Sequence, residues 1–170
     1  MKKFLAMIMA LTMVLSLATT AFAADTYTIT INSDKAGHTY EAYQIFKGTI
    51  VENTDADEDA EPGTNAILTN IQWGDGVNPG TTTDTAEEIA MKLSDGSMTA
   101  QQLIDMVNNK TIQLTTPSGT SVHKPENNLY KIEGLPAGYY LIKDKDNSLS
   151  GANAYTEYIL EVLEDSTVNP

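Results

Sequence analysis

Residues 27–47 read Y-T-I-T-I-N-S-D-K-A-G-H-T-Y-E-A-Y-Q-I-F-K, two alternating segments joined through a glycine turn at Gly37. In 27–32, Tyr27, Ile29 and Ile31 share one face and threonines the other, which is the period-two pattern of a half-buried strand. In 39–47, Tyr40, Ala42, Gln44 and Phe46 alternate with Glu41, Tyr43, Ile45 and Lys47. Both of its faces are partly apolar, so this segment is expected to be covered on both sides, central in its sheet.

Strand-like runs rich in β-branched and aromatic residues recur at 66–73, 111–115, 129–133, 139–145 and 154–163, separated by Pro, Gly, Ser and Asn. Seven short strands with turn signals between them predict a mainly β fold, a two-layer antiparallel sandwich rather than a parallel α/β sheet. Trp73, the single tryptophan, closes the third strand and is expected to pack on the sheet.

Two short helices interrupt the strands. Thr85-Ala86-Glu87-Glu88 and Thr99-Ala100-Gln101-Gln102 both have the form of a capping box. Ala86, Ile89, Ala90 and Leu93 follow the first at helical spacing, and Leu103, Ile104 and Val107 follow the second. Asp95-Gly96 and Asn108-Asn109 mark the exits. Met91, Met98 and Met106 are expected to fill gaps beneath this amphipathic insertion, which packs on a sheet.

The chain has 170 residues, 10 Lys+Arg against 23 Asp+Glu, a formal charge of -13 and no Cys. All the cations are lysines. An acidic surface without guanidinium groups repels phosphate backbones and cannot grip them bidentately, which argues against nucleic acid as a partner. Absent cysteine, no disulfide, thiolate metal site or cysteine nucleophile can form.

Lys2 and Lys3, the apolar stretch 4–17 and Ala21-Phe22-Ala23 have the layout of a secretory signal peptide. Cleavage after Ala23 is expected, with residues 24–170 forming one exported domain. The run 52–64 carries six acids and no base. Asp55, Asp57 and Asp59 have EF-hand spacing, but Ala60 stands where the sharp turn needs Gly and Ala66 where the bidentate Glu belongs. It reads as a solvated acidic loop.

Chemistry-bearing patterns are sparse. His38 and His123 lie in predicted loops beside polar residues, where solvation is the expected state. There is no Gly-x-Ser-x-Gly elbow and no phosphate-binding glycine loop. No catalytic residue, metal ligand or cofactor is assigned, and an enzyme is not the expected class. A secreted hydrolase built on paired carboxylates remains the third alternative.

Three stretches carry a resemblance: the signal peptide followed by Y-T-I-T-I-N, H-T-Y-E-A-Y-Q-I-F-K-G at 38–48, and G-L-P-A-G-Y-Y-L-I-K-D at 134–144. Together they resemble the N-terminal domain of major pilins of Gram-positive bacteria, the sortase-assembled fimbrial shaft subunits with Ig-like domains. The closing Thr167-Val168-Asn169-Pro170 looks like the start of the pilin motif, in which lysine follows proline. The resemblance implies an Ig-like sandwich displayed at the cell surface in a wall-attached pilus. Its implied partners are a class C sortase, neighbouring pilin subunits and host surface ligands.

In that family a sortase holds one subunit as a thioester, which the pilin-motif lysine of the next attacks. Neither that lysine nor a sorting signal is in this sequence, so Val168, Asn169 and Pro170 mark only the start of the motif. Such domains also often carry an internal Lys to Asn or Asp crosslink assisted by a buried acid. The resemblance puts the acid at Asp144 and the lysine near the end of the first strand, where Asn32 stands. Lys35 lies beyond a turn and Lys47 closes the second strand, so no internal isopeptide bond is expected and Asp144 reads as an ordinary strand-end carboxylate. The alternative function is a secreted adhesin or carbohydrate-binding module, carried by exposed aromatics among the eight tyrosines.

Overall fold

The computed structural model describes residues 25–33, 36–52, 66–145 and 157–169. The expected signal peptide, Lys35, nearly all of the acidic run and Pro170 lie outside the described residues. The elements are β1 (Thr26–Asn32), β2 (Tyr40–Glu52), β3 (Ala66–Trp73), β4 (Val77–Asn78), α1 (Ala86–Ser94), α2 (Ala100–Asn108), β5 (Gln113–Leu114), β6 (Gly119–Thr120), β7 (Val122–Lys124), β8 (Leu129–Pro136), β9 (Gly138–Asp144), β10 (Glu157–Val162) and β11 (Ser166–Val168). The fold is mainly β and forms a sandwich with a two-helix insertion. Each of the seven expected strand regions contains a strand, and β4, β6, β7 and β11 are short additions of two or three residues.

One sheet has the order β11-β1-β8-β7 and the other β10-β9-β2-β3, with β6 also on β2; β4 and β5 form a small ribbon. Ile29, Ile31, Tyr130, Ile132 and Leu135 from the first sheet meet Tyr40, Ala42, Tyr140, Ile142 and Val162 from the second in one buried core. The opposite face of the second sheet carries Tyr43, Ile45, Phe46 and Leu141, which pack with Ile89, Leu103, Ile104 and Val107 of the helices. The helices therefore add a third layer to the expected two. β2 and β9 are buried on both faces as a result, in keeping with the two-sided apolar pattern of 39–47.

Both capping boxes form. Thr85 accepts from the Glu88 N–H while the Glu88 carboxylate accepts from the Thr85 N–H, and Thr99 and Gln102 repeat the exchange. Two of the four orphan donors at each helix start are thus satisfied locally. Met98 and Met106 pack against the helix-side core, but Met91 is 61% exposed. Two residues beyond the buried Ile89, it is turned away from that core by the 3.6-residue turn and lies at the exposed rim of a groove between α1 and β3.

A second difference lies in β2. The register against β9 shifts between Gln44 and Phe46, so Phe46 pairs with Tyr139 and joins the helix-side core together with Ile45. The bulge inserts one extra residue and reverses the alternation beyond it, so Phe46 leaves the face it shares with Tyr40 and Ala42 in the sequence pattern. Gly138 permits the close approach here: a Cβ on it would stand 2.4 Å from the Phe46 carbonyl oxygen. Trp73 packs against Phe46 with ring centroids 5.6 Å apart, the sheet-packing role expected of it.

A third difference is the direction of β11. It pairs parallel with β1, in the register Ile29↔Ser166, Thr30↔Thr167 and Ile31↔Val168. All other strand pairings among the described residues are antiparallel. A parallel neighbour needs a long crossover, here most of the chain between the two strands.

Candidate functional site

β2 begins beside the end of β9, with Tyr40 opposite Asp144 in the ladder. Gly37, at a φ of 95°, turns the chain just before β2 in a conformation that costs glycine little, and His38 follows directly. The His38 Nδ1–H donates to Asp144 Oδ1 at 2.9 Å, and the two side chains are only 5% and 2% exposed. A carboxylate oxygen can only accept, which assigns the ring proton to Nδ1. Asp144 Oδ2 is buried with no hydrogen-bond partner among the described residues.

Aromatic rings enclose the pair. His38 stacks on Tyr40 at 5.0 Å and meets the edge of Tyr130 at 5.9 Å, while Tyr40 and Tyr130 are edge-to-face at 5.2 Å. His123, on β7, stacks on Tyr130 at 4.5 Å. The expectation of two solvated loop histidines is therefore corrected. His38 is buried because Asp144 satisfies it, and His123 is half-buried in a strand because the Tyr130 ring covers it. Asp144 is likewise no ordinary solvated strand-end group, since the alternation of β9 turns it into the inter-sheet core with Tyr140 and Ile142.

Burial raises the Tyr40 pKa; the nearby Ser33 hydroxyl pulls it down without the geometry of a full hydrogen bond, and Asp144 and Tyr130 push it up. Burial also raises Tyr139, aided by its hydrogen bond to Glu161, and Tyr140, aided by the charge of Asp75 against the lowering effect of Gln44. Raised folded values mean that these phenols contribute stability in full below the ordinary tyrosine value of 10.0 and lose it as pH climbs through the folded values. In an alkaline titration read by phenolate absorbance, three of the eight tyrosines should ionise late, together with loss of the β circular-dichroism signal. Uniform titration at the ordinary value with the fold intact would contradict the burial assigned to them.

The positions implied by the pilin resemblance are not brought together. The Asn32 Nδ2–H donates to Asn169 Oδ1 at 2.9 Å on the surface, whereas Asp144 faces His38 inside. Lys47 pairs with Asp75 at 2.6 Å. Val168 packs partly into the inter-sheet core, and the Thr28 N–H donates to Asp165 Oδ1 at 2.7 Å, which fastens the approach to β11. A buried acid that sequence reasoning missed is Glu41, which accepts from the Tyr43 hydroxyl at 2.7 Å and lies 3.8 Å from Lys145 Nζ. Its alternation with Tyr40 places it on the face opposite Asp144, where β6 pairs across it at Thr120 and Tyr43 and Lys145 close around its carboxylate.

An imidazole–carboxylate pair can move protons only where substrate can reach it. A groove of about 480 Å³ lies on the other side of the second sheet, between β3, α1 and the β9–β10 pair; Phe46, Ile71 and Tyr139 line it and neither His38 nor Asp144 does. No group of three His, Cys, Asp or Glu residues suited to a metal occurs among the described residues. The cluster joins the start of β2 to the end of β9 as a buried clamp. No protein-family model, curated protein or solved structure matches the chain.

Proposed function

We propose that this chain is the exported N-terminal domain of a covalently polymerised, cell-surface pilus subunit, joined to its neighbours by a class C sortase. The observation that supports it best is the parallel pairing of β11 with β1. Tension applied between the start of β1 and a continuation beyond the T-V-N-P segment runs along two parallel neighbours in opposite senses. It loads their backbone hydrogen bonds in shear, all together rather than one at a time. The half-buried Val168 and the Asn32–Asn169 bond secure the same end. The carbohydrate-binding alternative draws less support, because Tyr40, Tyr43, Tyr130 and Tyr140 are buried and offer no face to a sugar.

Cell-wall extracts probed with antibody against residues 24–170 should show a high-mass ladder that survives boiling in detergent and disappears when the class C sortase is deleted. A single monomer-sized band in both strains would rule the reading out.

Asn32 and Asp144 take separate partners, so the domain is expected to lack an internal isopeptide bond. Its intact mass should equal that of the uncrosslinked chain. A deficit of about 17 Da, one ammonia lost on condensation, would show a crosslink.

A further inference from the structure

The large apolar side chains exposed among the described residues are Ile50, Val51, Ile67, Met91 and Val122, and three of them gather in one place. Ile67 and Met91 line the groove between β3 and α1; Val51 is the ladder partner of Ile67 and shares its face, whereas Ile50, one residue along, points to the other side of the strand. Glu87 and Glu161 are the charged groups of that lining, with no cation among them. Glu161 engages the Tyr139 hydroxyl through Oε1, leaving its second oxygen open to another donor.

The fifth, Val122, stands apart on β7, at the edge of the other sheet. Its ladder partner is Lys131, and Lys124 follows two residues on, opposite Leu129. Tyr130 and Ile132 point into the core, so Leu129 and Lys131 point outward by alternation, and Val122 and Lys124 with them. Lys47, Lys92 and Lys145 are held by Asp75, Asp84 and Glu41, but neither Lys124 nor Lys131 forms an ion pair among the described residues. Glu133 follows Lys131 on the same outer face of β8 and Glu126 lies in the turn between the strands, so the basic character is confined to Lys124 and Lys131 themselves. In a chain this acidic, it is nevertheless the apolar surface that carries cations, whereas the groove carries anions.

We propose that the outer face of β7–β8 of one copy seats on the β3–α1 groove of a second copy, Val122 meeting Met91 and Ile67 while Lys124 and Lys131 meet Glu87 and Glu161. The two surfaces lie on opposite sides of the domain, so the contact is heterologous and need not close into a dimer; repeated, it propagates a chain. Net repulsion between acidic copies keeps it weak in free solution. Its use in a fibre rests on the pilus-subunit reading, where covalent joining holds copies at high effective concentration, but the complementarity does not.

The absence of cysteine makes the contact directly testable. Met91→Cys and Val122→Cys sit at exposed positions and should leave the fold unchanged by circular dichroism. Mixed under mild oxidation, the two variants should form the Met91→Cys/Val122→Cys disulfide several-fold faster than either homodimer, and one chain bearing both should give a ladder without sortase. Adding Glu87→Lys to the first variant or Lys131→Glu to the second should slow crosslinking, and combining the two reversals should restore it. Homodimers in statistical proportion, no crosslink, or reversals without effect would each overturn the contact. A sortase-dependent ladder in cells alongside failed crosslinking would reject this contact and leave the pilus reading standing; crosslinking without that ladder would do the reverse.

Discussion

Replacing His38 with alanine is expected to destabilise the domain by about 3 kcal/mol, the cost of leaving a buried carboxylate without its hydrogen-bond donor. Asp144 has no alternative: its side chain is 2% exposed, and Oδ2 already lacks a partner among the described residues. The change also removes the ring stacked on Tyr40 at 5.0 Å. Urea denaturation should show a lower midpoint at unchanged slope, as expected when stability changes and the unfolded surface does not. The double variant His38→Leu with Asp144→Leu should recover most of the loss, because apolar side chains of similar volume need no partner. A single-variant loss below about 1 kcal/mol, the range of exposed pairs, would mean that the pair is solvated.

Phe46→Ala should cost about 3–5 kcal/mol, the range for emptying an aromatic site in a core. Phe46 is fully buried, touches Trp73 and Tyr139 with ring centroids at 5.6 and 6.1 Å, and sits just beyond the bulge that turns β2 toward the helices. The emission of Trp73 should shift red as its neighbour is lost, giving a readout local to this layer. Met91→Ala, on the exposed side of α1, should change neither stability nor emission measurably. Equal effects of the two substitutions would refute the assignment of Phe46 to the core between sheet and helices.

The opposed fates of Phe46 and of the helix caps show what a sequence pattern can carry. Thr85 and Thr99 reach partners three residues away, so their capping boxes are readable in any short window. Phe46 obeys the alternation of 39–47 until one unpaired residue reverses it, and that bulge depends on Gly138, far along the chain, approaching closely enough. A local reading solvates His38 because polar sequence neighbours are all that it contains. The signal for its burial is the position of Asp144 on the buried face of 139–145, a carboxylate that needs a donor.

Seven of the strand regions, the two capped helices, the double-sided burial of β2 and the acidic, cysteine-free character of the chain are legible in residue order alone. These follow from periods of 2 and 3.6 residues and from side chains reaching a few positions along the chain. The meeting of His38 with Asp144 across 106 residues, that of Asn32 with Asn169 across 137 and the parallel run of β11 beside β1 arise from the packing of the whole chain. Such contacts depend on strand order, which brings distant segments together through the shared burial of whole sheets and which no local window of residues contains.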